Sequence, residues 1–160
     1  FGMSGDARFE DGAERPLALR ADEAEGLAVI SALVQDAVLS AADMRLERRA
    51  RRFSLLINRF RWEDSTAAER AGRPYERVRA LLVFEGVLGA ARSGFAQGAA
   101  DTVLSLLAVS FEPGEDGAGR VVLTLAGDGA VALEVECLDV ALRDVTRPHA
   151  ALSGKAPHHP

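Results

Sequence analysis

The spacing of apolar residues predicts a short strand followed by one helix near the start of the chain. Leu17 and Leu19 alternate with smaller or polar residues after Pro16, which is typical of a strand over 16–21. A helix over 23–38 is then expected, with Asp22 as N-cap and Glu25 completing a capping box. Its apolar residues recur at helical spacing: Leu27, Ile30, Val34 and Ala37.

From Met44 onward the pattern changes to the alternation of β-strands. Met44 and Leu46 lead into a run of charged residues, after which apolar residues alternate from Phe53 to Trp62. This pattern predicts a hairpin with a charged tip. The second arm carries apolar residues on both faces, so it is predicted to be a central strand. The polar segment 63–76 is predicted to be a loop.

Further strands are predicted from the same alternation. The glycines Gly86 and Gly89 indicate a bend or bulge, residues 94–100 a loop, and the Gly127 region a tight turn. The expected strands are Val78–Glu85, Ala90–Ser93, Val103–Phe111, Val121–Ala126 and Val131–Cys137.

The alternation slips by one residue after Cys137, where the apolar set becomes Leu138, Val140 and Leu142. Either a β-bulge shifts the register or a new element begins, and we favour the bulge. A C-terminal helix is the rival, because these residues also fit helical spacing together with Val145.

Together these elements predict an α+β fold. One N-terminal helix is expected to pack on a strongly curved or barrel-like, mainly antiparallel sheet of about seven or eight strands. Residues 16–146 are expected to form a single domain, with flexible termini over 1–15 and 147–160. Phe1 and Gly2 precede the first methionine and are expected to be cloning residues.

Composition and charge narrow the possible partners. The net charge of −5 argues against a general polyanion binder and disfavours nucleic-acid binding, although it leaves room for a local basic patch. The single cysteine, Cys137, fits a reducing compartment, and no secretory signal is visible at the N-terminus. No apolar stretch approaches the roughly 18 residues that cross a bilayer. We therefore expect a cytoplasmic protein without membrane contact.

Three ordered blocks resemble a known bacterial family. They are DEAEGLAVISALVQDAV at 22–38, ERRARRFSLLINRFRWE at 47–63 and LEVECLDVALRDV at 133–145. In these blocks the chain is similar to domain-of-unknown-function family 2948 along nearly its whole length. The family is uncharacterised, so the resemblance implies no activity, ligand or catalytic residue for any position.

Four residues form the speculative ligand-binding set. Glu134 and Glu136 lie on one face of a predicted strand about 7 Å apart, a separation that suits a cation or acid–base chemistry. A half-solvated strand has the same pattern, and this is the favoured interpretation. Arg59 and Trp62 are the other candidates. Arg59 would need partners if it faced inward, whereas exposure at a sheet edge is the simpler account.

The basic cluster around the hairpin tip is the one feature typical of nucleic-acid binding. The cluster extends over 45–61 and is interleaved with Phe53, Phe60 and Trp62. Its candidate nucleic-acid-binding residues are Arg48, Arg49, Arg51 and Arg52. Charged side chains are also expected at a turn for solubility alone, and neighbouring acidic residues dilute the cluster. The solubility interpretation is favoured.

No other residue type provides a convergent reactive site. Cys137 is expected to be a small core residue, because a nucleophilic thiol needs a base that the sequence does not place nearby. The histidines lie at 149, 158 and 159 and lack the companions of a zinc site. No phosphate-loop or dinucleotide motif occurs. The sequence thus predicts no catalytic residue, no metal site and no cofactor.

These observations favour a non-catalytic binding or assembly module. Such a module would engage an unknown protein partner, or a second copy of itself, through a sheet surface or edge. The alternative is a small-molecule-binding protein or small enzyme with a site in the sheet or barrel mouth. Weak RNA binding is a third possibility.

Overall fold

Strands account for most of the regular structure. The computed structural model describes residues 16–72, 76–94 and 101–146, together with the backbone of 149–150. The helices are α1 (Ala24–Leu33) and α2 (Ser65–Ala71), and single 3-10 turns occupy Ala41–Asp43 and Trp62–Asp64. The strands are β1 Ala18–Ala21, β2 Ala37–Ser40, β3 Met44–Glu47, β4 Arg52–Phe60, β5 Glu76–Glu85, β6 Val87–Ser93, β7 Val103–Pro113, β8 Gly119–Leu125, β9 Gly129–Val135, β10 Val140–Asp144 and β11 His149–Ala150.

All the strands belong to one antiparallel sheet. The order is β1-β10-β5-β4-β2-β7-β8-β9-β6, with β3 added beside β4 and β11 beside β5. The α+β prediction is confirmed, and β4 is a central strand as expected. The part of the chain that the structure describes contains eleven strands, more than the predicted seven or eight. The sheet is not closed into a barrel, because β1 and β6 are its two end strands.

A sharp corner makes this open sheet curl. β5 and β6 lie far apart in the strand order, yet Gly86 alone joins them. Because one residue spans at most about 7 Å between its neighbours, the two parts of the sheet meet here. The Glu136 N–H donates to Gly86 O at 2.8 Å, so the link between β9 and β10 turns the same corner. The predicted strong curvature is therefore present.

Helix α1 is shorter than predicted. It ends at Leu33 with Val34 as C-cap, and Asp36 then adopts a left-handed φ of +65° in the turn before β2. Glu23, not Asp22, is the N-cap, and it makes no side-chain capping bond. In the remainder of the predicted helix, residues 34–36 form a turn and residues 37–38 begin strand β2, which pairs with both β4 and β7.

The predicted loop over 63–76 contains a helix. Trp62–Asp64 form a 3-10 turn that runs directly into α2, and Gly72 ends α2 with a left-handed φ of +65°. Ala68 is buried. Residues 73–75 lie outside the described residues, as do most of the predicted loop 94–100 and most of both predicted flexible termini.

The register slip at Cys137 is neither a bulge nor a helix. β9 ends at Val135, the chain crosses the sheet corner, and β10 begins at Val140 between β1 and β5. Leu138 is buried at this crossing. The bulge interpretation was wrong because a continuous alternation was assumed where the chain changes its strand neighbours.

One continuous core lies inside the curled sheet. On β4 and β5 the buried residues alternate with half-exposed ones, and α1 covers the core beside β7 and β1. Each fully buried large aliphatic side chain contributes about 1.5–3 kcal/mol relative to exposure. The core residues with the least exposure include Leu55, Ile57, Leu82, Phe84, Leu106, Leu123, Leu133 and Leu142.

Candidate functional site

Arg59 is fully buried, with 0% of its surface exposed. It lies on β4 in phase with Phe53, Leu55 and Ile57, so its side chain points toward the core. Exposure at a sheet edge, the simpler prediction, is wrong because β4 has β5 on one side and β2 on the other.

The guanidinium of Arg59 has a partner for every N–H group. Nε and Nη2 donate to the two carboxylate oxygens of Asp144 at 3.0 Å each, and Nη1 and Nη2 donate to Glu63 at 2.9 and 2.8 Å. Nη1 also donates to Phe60 O at 3.0 Å. A guanidinium has five N–H donors, so none remains for a ligand. Asp144 in turn accepts from Leu17 N at 2.9 Å.

This cluster joins the start of β1 and strands β4 and β10 to the 3-10 turn. Burial disfavours the charged form of Arg59, but its hydrogen bonds to Glu63 and Asp144 outweigh burial and raise its pKa. A ligand anion would have to displace one of these carboxylates. The arrangement therefore fits a structural ion cluster better than a binding site.

Glu63 gives the cluster a pH dependence. Burial alone would raise its pKa, but the hydrogen bond and charge of Arg59 lower it below the ordinary 4.5. Such a carboxylate stabilises the fold above its unfolded pKa, and this stabilisation is lost as pH falls through the folded pKa. We expect Glu63→Gln to cost about 1–2 kcal/mol at neutral pH. In urea titrations, the difference from wild type should shrink below pH 4.5; a difference independent of pH would contradict the pairing.

Trp62 lies near this cluster but contacts a different part of the chain. Its Nε1 donates to Gln35 O at 2.9 Å, and its ring centroid is 5.5 Å from that of Phe60. The indole thus holds the segment after β4 against the end of α1. Trp62 and Arg59 are near each other in the chain, but their polar groups are directed to different partners.

Glu134 and Glu136 lie elsewhere, and both are exposed. Glu134 accepts from Arg120 Nε at 2.8 Å, and Glu136 pairs with Arg51. Glu136 sits at the Gly86 corner beyond one end of β5, whereas Arg59 pairs with Val78 toward the other end of β5. The four predicted ligand-binding residues therefore do not converge.

The basic hairpin tip is partly neutralised. Arg52 donates to Glu85 at 3.0 Å and lies 3.7 Å from Glu47, and Arg51 pairs with Glu136. Arg48 and Arg49 are exposed in the turn itself. This distribution is typical of a solvated turn.

The edge of β6 is unusual. β6 pairs with β9 along one edge. At the start of its other edge, Val87 N–H donates to Arg51 O at 2.8 Å. Among the described residues, no strand pairs with the rest of that second edge. Five of the six residues 88–93 are exposed, and Gly89 is half-buried. Most of these side chains are small: Gly89, Ala90, Ala91 and Ser93.

Comparison with known protein families identifies the chain. The model of a family described as "Protein of unknown function (DUF2948)" matches residues 17–159. The chain belongs to the DUF2948 family. No curated protein and no solved structure matches it. The resemblance of the three sequence blocks is thus confirmed, and the family description assigns no activity.

The DUF2948 chain also has a cleft at the sheet corner. It encloses about 320 Å³ between the end of β1 and the link from β9 to β10, and its lining includes Arg20, Asp139 and Cys137. Arg20 donates to Asp139 at 2.7 Å across this cleft, and this hydrogen bond raises the Arg20 pKa. Cys137 is exposed. Its predicted place in the core was wrong, because the side chain follows the end of β9 at the crossing.

Within 16–72, 76–94 and 101–146, no three His, Cys, Asp or Glu residues lie close enough to hold a metal ion. The helices of this DUF2948 chain, within the same segments, are too short or too polar to cross a membrane.

Proposed function

We propose that this DUF2948 chain is a non-catalytic protein-binding and assembly module that pairs with a second copy of itself through β6. The observation that carries the proposal is the open edge of β6. Over 88–93, the described structure pairs the strand on one side and leaves five of its six residues exposed. Because no strand of the described structure pairs with this edge beyond its start, the edge can accept another strand.

The other end strand offers a contrast. β1 has four residues, and its Arg20 is ion-paired with Asp139 beside the edge. Short length and charge are common means by which proteins protect sheet edges from association. β6 is longer, and Arg92 is its one charged residue. An edge so little protected favours pairing.

A second copy is the partner that the edge fits most simply. A two-fold axis perpendicular to the sheet would place Ala90 or Ala91 opposite its own copy. In those registers Arg92 lies opposite Leu88 or Ala90 of the copy, so like charges do not face each other. One two-fold contact uses the open β6 edge of each copy. Association therefore stops at the dimer.

The alternative is a small-molecule-binding protein or enzyme. Its best support is the cleft lined by Arg20, Asp139 and Cys137. A thermal-shift screen of metabolites would favour it if a stabilising compound lost its effect in Asp139→Ala. RNA binding, the third candidate, would require measurable binding of mixed oligonucleotides at low salt.

Size-exclusion chromatography with light scattering tests the dimer. We expect a mass of twice the 17.0 kDa chain. Ala91→Lys places two cations near the axis and should raise the dimer dissociation constant about tenfold or more. The matched control is Ala126→Lys, an exposed alanine in the turn between β8 and β9, which should remain dimeric. A wild-type chain that stays monomeric at all concentrations would refute the proposal.

A further inference from the structure

The outer face of the sheet carries a group of arginines without carboxylate partners. On strands β1, β3, β4, β5 and β10, the residues that alternate with the core residues point to this face. Two of its arginines, Arg20 and Arg52, are ion-paired. Four others have no carboxylate partner among the described residues: Arg45, Arg77, Arg79 and Arg143.

Three of the four lie close together. Arg77 and Arg79 are two residues apart on β5, which places them about 7 Å apart on one face. Arg143 on β10 lies opposite Leu81, so it is a diagonal neighbour of Arg79. Neighbouring like charges repel each other. This concentration of positive charge stands out in a chain whose net charge is −5.

Arg77 shows why an external anion would stabilise the face. Its guanidinium carbon lies 4.1 Å from the centre of the Phe60 ring, and the side chain is half-buried. Burial lowers the pKa of Arg77, and in the described structure its guanidinium contacts the Phe60 ring and no carboxylate. A carboxylate arriving from outside would supply the attraction that this half-buried cation lacks.

An aliphatic patch lies beside the arginines. Leu56 on β4 faces Leu81 on β5, and Val83 lies opposite Ser54 in the next row. All four residues are half-buried on the outer face. Arg45 borders the patch on the β3 side, and Arg143 borders it on the β10 side. Apolar centres with charged rims are typical of protein interfaces, where arginine is enriched.

We propose that this arginine face, defined by Arg45, Arg77, Arg79 and Arg143 around Leu56, Leu81 and Val83, binds an acidic segment of a partner protein that also carries apolar residues. Carboxylates would pair with the arginines, and aliphatic side chains would cover the patch. A nucleic-acid strand fits less well, because base stacking needs exposed aromatic rings. Phe60 on this face is 3% exposed.

A peptide array tests the proposal with the full chain. One set of spots combines glutamate and aspartate with leucine and valine in varied order, and a matched set replaces each acidic residue by lysine. We expect the chain to bind the acidic set preferentially. The strongest peptide, measured by fluorescence anisotropy, should bind about tenfold more weakly when salt rises from low to physiological concentration.

Two charge-reversal variants locate the binding. Arg79→Glu with Arg143→Glu should weaken binding of the strongest peptide about tenfold or more. Arg48→Glu with Arg49→Glu makes the same change of charge in the exposed turn and should leave the affinity within about twofold. Circular dichroism checks that both variants are folded.

Other outcomes would overturn the proposal. These are no preference for acidic spots, equal loss of affinity in both variants, or tighter binding of a mixed-sequence oligonucleotide than of any acidic peptide. The last result would assign the face to nucleic acid. The arginine face does not include β6. A monomeric chain that binds acidic peptides would therefore contradict the dimer proposal and support this one.

Discussion

Replacing Arg59 by methionine is expected to lower the free energy of unfolding by about 3–5 kcal/mol. The substitution keeps most of the aliphatic volume but removes every hydrogen bond to Asp144, Glu63 and Phe60 O. The side chain of Asp144, 3% exposed, would be left in the core without a cation, although it keeps the Leu17 N–H. Removing one partner of a buried ion pair lowers stability far more than replacing both partners by apolar residues does.

Urea denaturation measures this effect. Arg48→Met removes an arginine from the exposed hairpin turn and should change stability by no more than about 0.5 kcal/mol. Arg59→Lys should also be destabilising, because one ammonium cannot bridge two carboxylates in the way that the planar guanidinium does. If Arg59→Met were as stable as wild type, the ion cluster would not have the structural role assigned to it.

The Arg59 cluster shows how far sequence reasoning could go. Arg59 falls in phase with the apolar residues of β4, so its burial was visible in the alternation once β4 was taken as a central strand. Glu63 is four residues from Arg59, so the sequence alone places these two residues close together. Asp144 was not, because it is 85 residues along the chain and reaches Arg59 through the pairing of β10 with β5.

The secondary-structure elements show the same difference between local contacts, which the sequence predicts, and distant contacts, which it does not. The hairpins β3–β4, β7–β8 and β8–β9 were predicted because each joins neighbouring strands with alternating residues and a turn. The start of β2 was taken for helix because Ala37 lies three residues after Val34, which is helical spacing. β10 was misinterpreted because its partners, β1 and β5, are distant in sequence. Short apolar segments do not reveal their tertiary neighbours.

The candidate surfaces depend on that distant pairing as well. Nothing in the sequence of β6 indicates that one of its edges is open, since this depends on where β4 begins beside the corner. Likewise, Arg79 and Arg143 are neighbours only because β10 lies beside β5. Alternation could place each arginine on a strand face, but it could not bring the faces together.

Gly86→Val is expected to destabilise the fold by about 2–3 kcal/mol, because Gly86 forms the corner between β5 and β6. Its φ of +69° is in the left-handed region, which a β-branched residue strongly disfavours. A Cβ here would lie 3.6 Å from Glu136 Oε2, so the cost comes mainly from the backbone and not from a clash. Since Gly86 also directs β6 along β9, the variant should in addition weaken the proposed dimer.

Gly89→Val is the matched control on the adjoining strand. Gly89 does not have a left-handed φ, and a Cβ at this position would have no atom within 4 Å. Valine suits a strand, so we expect stability within about 0.5 kcal/mol of wild type or slightly above it. Both variants add the same side chain within a few residues of each other. The difference between their free energies of unfolding, measured in urea, therefore reports the effect of the backbone conformation at Gly86. Equal destabilisation of both would mean that the corner does not depend on the conformational freedom of Gly86.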